Sequence, residues 1–346
     1  MLAERAWRVA TTAFLGGLLL YVAAPMLTGR APVRTIVVYG FSILGEVMER
    51  DLFPTFAADW HARTGEQVEL VGSFAGSGTV TNQIVMGVPA EVAMLSRELD
   101  AERLAQAGVT ASGSWRSLPY QGVLVRTPIV IVVRPGNPRK IRGFADLEGP
   151  GVRIVHPDPT TSGGAAWAIL AEFGSAARDL GEDADPKRVE AAGRERLTAI
   201  WGNVVAQAAS ARAARTQFEN GFGDVLITYE QDVIDDIRQG RLQAEIVYPR
   251  GTVFSELTVV AVERNVPTAD RAVVGAFVEW LWTPAAQSRL VGRGFRSVLE
   301  GLNAANPAFG RLDHPFRVSD MGGWTVVQRD IITGAWRRDV RGETGP

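Results

Sequence analysis

The fold is decided by residues 151–167, which read GVRIVHPDPTTSGGAAW. The apolar, β-branched segment at 152–155 predicts a buried strand, and a loop of Pro, Thr, Ser and Gly then leads into a helix that runs to about residue 173. The same succession of strand, small-residue loop and helix start occurs at VVYGFS (37–42), VGSFAGSGT (71–79) and AASARAA (208–214). Repeated use of this unit is typical of an open α/β sheet.

The sequence on both sides of this stretch alternates in the same way. Further strands are predicted at 34–39, 67–71, 91–95, 128–133, 224–228 and 256–262. Further helices are predicted at 42–64, 81–86, 100–107, 196–201, 211–220 and 269–281. Short loops between alternating strands and helices predict a mostly parallel sheet covered by helices.

Composition excludes several classes of protein. The chain has 346 residues, 46% of them hydrophobic and 21% charged, which is too apolar for a disordered chain. At roughly 100–200 residues per domain, this length predicts two domains. The absence of cysteine excludes a disulfide framework, a thiolate zinc site and a cysteine nucleophile. A formal net charge of -2 gives no reason to expect nucleic acid as a partner.

The N-terminus indicates export. Arg5 and Arg8 precede an apolar run over 9–27, the pattern of a secretion signal. The run is also long enough to cross a membrane, which takes about 17–25 residues. Residues 1–30 are therefore predicted to be a signal peptide or a retained membrane anchor, and the rest of the chain is expected outside the cytoplasmic membrane.

Few residues in the chain indicate catalysis. His61, His156 and His314 share no metal-ligand spacing, and no phosphate-binding loop of the nucleotide-binding type is present. Ser77 lies in AGSGT, which lacks both glycines of the nucleophile-elbow pattern, and a hydrolase built on it would need His156 as a base. We therefore expect no enzymatic activity, no metal and no cofactor.

The four small-residue loops instead indicate a site for an anion. Each precedes a helix start, where backbone N–H groups lack partners and the helix dipole is positive. Glycine in such a loop allows the backbone to approach a ligand closely. Because open α/β sheets bind ligands at the carboxyl ends of their strands, the loops are expected to converge on one oxyanion.

With these motifs in place, the chain resembles the sulfate/thiosulfate-binding proteins of bacterial ABC importers, which are type 2 periplasmic binding proteins. The resemblance extends over about 35–335 and is carried by SFAGSGT (73–79), RPGNPRKIRGFADL (134–147), GVRIVHPDPTTSGGAAW (151–167), GFGDVLITYE (221–230) and MGGW (321–324). It implies two α/β lobes joined by two crossing strands, with a ligand cleft between them. Lobe 1 is expected at 33–124 and 253–300, lobe 2 at 125–252, and a C-terminal segment packing on the lobes at 301–346.

The resemblance also implies a set of ligand residues. Most are backbone N–H donors, joined by a serine hydroxyl and, in the family, an indole N–H. Carried over by motif, the set comprises Gly40, Ser77, Ser162, Gly163, Gly164, Ala211 and Tyr229. Tyr229 stands where the family has the indole, and its hydroxyl donates with a different reach and angle. Arg215 stands where the family usually has threonine; we interpret it as a surface arginine rather than a guanidinium beside the anion.

Proton chemistry ranks the possible ligands. Sulfate is fully ionised near neutral pH and accepts hydrogen bonds only, whereas phosphate keeps a proton that an aspartate can accept. The four donor runs, 38–42, 72–79, 160–167 and 210–217, contain no Asp or Glu, and Asp158 and Glu230 lie nearby in sequence but outside them. This favours sulfate or thiosulfate over phosphate. The expected protein is a periplasmic monomer that delivers the oxyanion to an ABC permease. Two alternatives remain at this point: a membrane-anchored oxyanion sensor, and a binding protein for phosphate or molybdate.

Overall fold

The computed structural model describes residues 33–181 and 183–343. The strands in these ranges are β1 (Arg34–Phe41), β2 (Val68–Ala75), β3 (Val92–Leu95), β4 (Val123–Val133), β5 (Ile154–Pro157), β6 (Val204–Ala208), β7 (Val225–Tyr229), β8 (Glu245–Val247), β9 (Phe254–Ala261) and β10 (Arg296–Ser297). The predicted signal peptide or anchor at 1–30 lies outside the described residues. Within them, no helix combines the length and the apolar character that crossing a membrane requires.

Helices connect and cover these strands. They are α1 (Phe53–Thr64), α2 (Ser77–Val85), α3 (Glu98–Gln106), α4 (Gly163–Leu180), α5 (Pro186–Gly202), α6 (Ala211–Glu219), α7 (Glu230–Arg238), α8 (Arg271–Trp280), α9 (Pro284–Gly292) and α10 (Gly323–Val326). Short helical segments at Ser42–Leu44, Gly45–Val47 and Met48–Leu52 lead into α1, and a π-helix at Val327–Val340 continues α10.

The strands form one sheet in the order β2-β1-β3-β9-β4-β7-β5-β6, with β8 and β10 pairing to β4. Parallel pairs join β1 to β2 and β3, and join β5 to β6 and β7. The pairs made by β4 and β9 are antiparallel. The sheet is therefore mixed, and the expectation of a mostly parallel sheet holds only for its two ends.

The antiparallel strands explain the two lobes. The first part of β4 pairs with β9 and its second part pairs with β7, while β9 also pairs with β3. Consequently β4 and β9 cross between one α/β lobe built on β1–β3 and another built on β5–β7. The prediction of two α/β lobes joined by two crossing strands is confirmed.

The core follows the periodicity of the sequence. On α1, Phe53, Phe56 and Trp60 recur at helical spacing and are buried on one face. Phe56 packs edge-on against Phe277 of α8, with ring centroids 5.1 Å apart. Residues 129–133 of β4 are buried without alternation because helices cover both faces of the sheet there.

Several boundaries differ from the predicted ones. β2 continues through residues 72–75, which we expected in a loop, because it stays paired with β1 as far as Phe41 and Ala75. The loop is therefore reduced to Gly76, and α2 begins at Ser77 instead of residue 81. α4 extends to Leu180, well beyond the expected end near residue 173. The sequence prediction also missed β6, α7 and α9.

Candidate functional site

Ser77, the first residue of α2, is fixed by two hydrogen bonds. Its side chain is fully buried; the Oγ donates to Asp100 Oδ2 at 2.8 Å and accepts from the Ser96 N–H at 3.1 Å. Ser77 therefore ties the start of α2 to the end of β3 and to α3. The first backbone N–H groups of α2 have no partners within the helix and remain the donors that this loop offers.

The loops that begin α2, α4 and α6 meet at Gly76. A Cβ on this residue would lie 2.6 Å from the carbonyl oxygen of Thr161 and 2.8 Å from that of Ala209. Such distances would be a clash, so only glycine allows three loops to come this close. Because Thr161 and Ala209 belong to lobe 2, the contact also brings the two lobes together.

The N-terminus of α4 carries three of the predicted ligand residues. Ser162 is the N-cap residue, but its side chain makes no capping bond, and its buried Oγ has no hydrogen-bond partner among the described residues. A Cβ on Gly163 would lie 1.8 Å from Ser96 Oγ and 3.1 Å from Ser77 Cβ. The absence of a side chain on Gly163 therefore allows the first turn of α4 to pack directly against Ser77 and Ser96 of lobe 1.

Tyr229, at the end of β7, borders the same turn. A Cβ on Gly164 would lie 2.9 Å from the Tyr229 ring and 3.2 Å from its hydroxyl oxygen. Tyr229 is fully buried, and its ring packs edge-on against Phe41 with centroids 5.4 Å apart. Its hydroxyl has no partner in hydrogen-bond geometry among the described residues. Burial raises the pKa of Tyr229 well above its ordinary value, so the hydroxyl keeps its proton and can donate it.

For the two remaining predicted residues, Ala211 and Gly40, the contacts near the candidate site are made by the adjacent residues. Ala211 is the first residue of α6, and Ser210 caps that helix by accepting from the Ala213 N–H at 3.1 Å. Gly40 lies inside β1, paired on both sides with residues of β2 and β3. The residue after it, Phe41, is the one whose ring contacts Tyr229.

A carboxylate lies next to the candidate site, although none of the four donor runs contains one. Asp100 of α3 is fully buried and receives two hydrogen bonds from Arg97, Nε to Oδ2 at 3.1 Å and Nη2 to Oδ1 at 2.7 Å. Burial on its own lowers the pKa of Arg97, but the charge and hydrogen bonds of Asp100 outweigh it and raise that pKa. The ion pair therefore brings no net charge to the neighbourhood of Ser77.

The interpretation of Arg215 as a surface arginine is wrong. Only 12% of its side chain is exposed, and its guanidinium pairs with Asp236 at 2.6 Å and with Glu219 at 3.0 Å. Its Nη1 also donates to the backbone carbonyl of Asp232. The charge of Arg215 is therefore taken up by carboxylates of α6 and α7.

Four residues close to the candidate site were not found from the sequence: Ser96, Asp100, Trp167 and Ser255. Ser96 and Ser255 are fully buried serines whose hydroxyls have no partner among the described residues. Ser96 follows a predicted strand, and that position could have identified it. Ser255 carries no comparable feature, since it lies within a crossing strand.

The histidines take no part in this arrangement. His156 is fully buried; its Nδ1 donates to the Pro157 carbonyl at 2.7 Å, and its Nε2 lies 3.1 Å from Glu172 Oε1. His61 is exposed. In residues 33–181 and 183–343, no group of three or more His, Asp or Glu side chains is arranged to hold a metal.

Comparison with known proteins agrees with this geometry. The family model for bacterial extracellular solute-binding proteins matches residues 48–296. A sulfate-binding protein of Synechococcus elongatus is 32% identical over 313 residues, covering 89% of this chain and 86% of the relative. The thiosulfate-binding protein of Escherichia coli K12 is 28% identical over 328 residues, covering 92% and 94%. The solved structure of the sulfate-binding protein SubI from Mycobacterium tuberculosis matches with a TM-score of 0.76 at 26% identity, covering 85% of this chain and 98% of that one.

Two α/β lobes, crossing strands and helix N-termini facing one buried point define a type 2 periplasmic binding protein. The chain belongs to the bacterial extracellular solute-binding proteins and, within them, to the sulfate- and thiosulfate-binding proteins.

Proposed function

We propose that this protein captures sulfate or thiosulfate between its lobes, outside the cytoplasmic membrane, and delivers it to an ABC permease. The observation that carries the proposal is the first turn of α4. There the buried hydroxyls of Ser162 and Tyr229, which have no hydrogen-bond partner among the described residues, lie beside the N–H groups of Gly163 and Gly164. Neutral donors aimed at one point hold an anion without a basic patch.

The charges beside this point support a fully ionised oxyanion. Asp100 is held by Arg97 in two hydrogen bonds, and Ser77 donates to it as well. A carboxylate occupied in this way is a poor acceptor for a phosphate proton. Hydroxyl and N–H donors match sulfate or thiosulfate, which only accept hydrogen bonds. Phosphate and molybdate remain competitors for the binding test to rank.

Lobe closure is the proposed mechanism. The ligand would bridge donors of lobe 1 (33–124 and 253–300) and lobe 2 (125–252), and the described part of the C-terminal segment (301–343) would pack on the lobes. Because an anion touching both lobes has more contacts in the closed state, it stabilises that state by the difference. The closed monomer is then the form that the permease recognises. Nothing in this role requires catalysis.

Calorimetric titration with sulfate, thiosulfate, phosphate and molybdate tests the proposal. We expect saturable binding of sulfate or thiosulfate to one site. Saturation by phosphate or molybdate alone would replace the proposed ligand, and no binding of any of the four anions would overturn the function.

Two variants at helix N-cap positions, Ser162→Ala and Thr283→Ala, test where the anion binds. Ser162→Ala removes a hydroxyl that caps nothing, so we expect weaker anion binding with little change in stability. Thr283 caps α9 by accepting from the Ala286 N–H, away from the cleft. Thr283→Ala should therefore lower the free energy of unfolding by about 1 kcal/mol and leave anion affinity unchanged. Equal affinities for the wild type and Ser162→Ala would remove Ser162 from the site.

A further inference from the structure

Two serines outside the predicted ligand set share an unusual property. Ser96 directly follows β3, and Ser255 is the second residue of β9. Both side chains are fully buried, and neither hydroxyl has a hydrogen-bond partner among the described residues. Folded proteins pair nearly all of their buried hydroxyls, so two unpaired ones near each other point to a ligand that supplies the partner.

Ser96 reaches the first turn of α4. Its Oγ lies 1.8 Å from the position that a Cβ on Gly163 would take, and Ser77 Oγ accepts the hydrogen bond of its backbone N–H. The Ser96 hydroxyl therefore faces the helix N-terminus across the contact between the lobes.

Ser255 reaches the same place from the crossing strands. It pairs with Thr127 of β4, and two residues further along β4, Ile129 pairs with Tyr229 of β7. Because side chains alternate along a strand, Ser255 and Tyr229 project from the same face of the sheet on either side of β4. The hydroxyls of Ser255 and Ser96 both lie near the Tyr229 phenol.

We propose that Ser96 and Ser255 bind the oxyanion, forming with Tyr229 a trio of hydroxyl donors opposite the N–H groups of α4. Each hydroxyl has one hydrogen to give, and none meets hydrogen-bond geometry with another group in the part of the chain that the structure describes. Because Ser96 belongs to lobe 1, Ser255 to a crossing strand and Tyr229 to lobe 2, the trio gathers around the anion only when the lobes are closed. The inference rests on the proposed oxyanion function and adds specificity residues to it.

The experiment measures affinity and stability in the same variants, Ser96→Ala, Ser255→Ala and the double variant. A hydrogen bond to a charged ligand is lost in each, so sulfate or thiosulfate should bind about ten- to a hundredfold more weakly to each single variant. The melting temperature without added anion should stay the same or rise, because the replaced hydroxyl makes no hydrogen bond within residues 33–181 and 183–343.

Ser175→Ala is the matched control. Ser175 is also buried, but its Oγ donates to the Glu172 carbonyl at 2.7 Å and accepts from Arg196 at 2.9 Å, far from the site. This variant should lower the melting temperature and keep the affinity of the wild type, the opposite of the result expected for the two site serines.

The possible results test the proposed function and the roles of Ser96 and Ser255 separately. If the wild type binds none of the four oxyanions, the proposed function fails. If the wild type binds but Ser96→Ala and Ser255→Ala bind as tightly, the function stands and this inference is overturned. Weaker binding that comes with a lowered melting temperature, as for a structural serine, also overturns it.

Discussion

The indole Nε1 of Trp167 donates a hydrogen bond of 2.7 Å to the backbone carbonyl of Ser96, and both residues are buried. Trp167 lies on α4 in lobe 2 and Ser96 follows β3 in lobe 1, so this bond joins the lobes next to the proposed site. The Trp167 ring is held in place by Trp324, with ring centroids 4.9 Å apart in an edge-on arrangement. In the proposed closure mechanism, this hydrogen bond between the lobes would add to the contacts that the ligand makes.

Replacement of Trp167 by phenylalanine should weaken ligand binding. The variant keeps an aromatic ring and loses one buried hydrogen bond between the lobes, about 0.5–1.5 kcal/mol. Since the bond joins the two lobes, lobe opening is expected to break it, and sulfate or thiosulfate affinity should fall about two- to tenfold in a calorimetric titration.

Trp336→Phe provides a matched control for that experiment. Trp336 is also buried, but its Nε1 has no hydrogen-bond partner among the described residues. The same substitution there removes no hydrogen bond and should leave the affinity unchanged. If Trp167→Phe and Trp336→Phe bind alike, the Trp167 bond does not contribute to closure.

Ser77→Ala should destabilise the protein. Its Oγ is engaged by both Asp100 and the Ser96 N–H, and removing it leaves a buried carboxylate oxygen and a buried N–H short of a partner. We expect the free energy of unfolding, measured with urea, to fall by about 1–3 kcal/mol. Ser117→Ala, which removes an exposed hydroxyl, should stay within about 0.5 kcal/mol. An unchanged urea midpoint for Ser77→Ala would show that these bonds contribute nothing.

Much of this architecture could be predicted from the sequence, because its main signals are local. A few neighbouring residues are enough to predict the small-residue loops before α2, α4 and α6. The same is true of the apolar run in β4. Recognition of the family motifs then supplied the lobes and crossing strands. The helix start at Ser77 was misplaced because pairing with β1, a contact distant in sequence, keeps residues 72–75 in a strand.

The missed site residues depend on contacts that no local pattern encodes. Asp100 is one of many acidic residues on helices until Ser77 and Arg97 are seen to bind it. The same holds for Arg215, whose partners Asp232 and Asp236 come from the next helix, α7. A conclusion drawn from loops without acidic residues was therefore incomplete, since the fold brings in a carboxylate from elsewhere together with the arginine that compensates it.

That compensation can be tested with Arg97→Gln. The buried pair with Asp100 is broken, and the carboxylate beside the proposed anion site keeps only the partly exposed Arg103, whose Nη1 lies 3.8 Å from Oδ1. Breaking a buried pair costs about 3–5 kcal/mol of stability. Anion affinity should fall as well, because the remaining charge repels the ligand. Adding Asp100→Asn removes that charge, so the double variant should bind more tightly than the single one.

Arg116→Gln is the control for the arginine substitution. Arg116 pairs with Glu98 at 2.7 Å, but about half of its side chain is exposed, and exposed pairs contribute about 0–1 kcal/mol. It should change neither affinity nor stability by much. If Arg97→Gln/Asp100→Asn binds the anion no better than Arg97→Gln, Asp100 is not the source of the repulsion.

Stability should fall in alkaline solution because of Tyr229. Its pKa is raised by burial in the folded protein, while in the unfolded chain it stays near the ordinary value of 10.0. Above pH 10 the unfolded state therefore loses a proton that the folded state keeps, and the free energy of unfolding falls by about 1.4 kcal/mol per pH unit from this residue. Below pH 10 both states are protonated and the contribution is constant. Tyr229→Phe should make the decline shallower by that amount in urea titrations at pH 9, 10 and 11.

Part of the decline should persist in Tyr229→Phe, because burial and the neighbouring Glu230 also raise the pKa of Tyr248. The wild type is the reference for the alkaline slope. A slope in Tyr229→Phe equal to that of the wild type would mean that the Tyr229 hydroxyl ionises as readily in the folded protein as in the unfolded chain. A phenol of that kind would reach solvent, and it could not be the neutral, buried donor on which the proposed anion site depends.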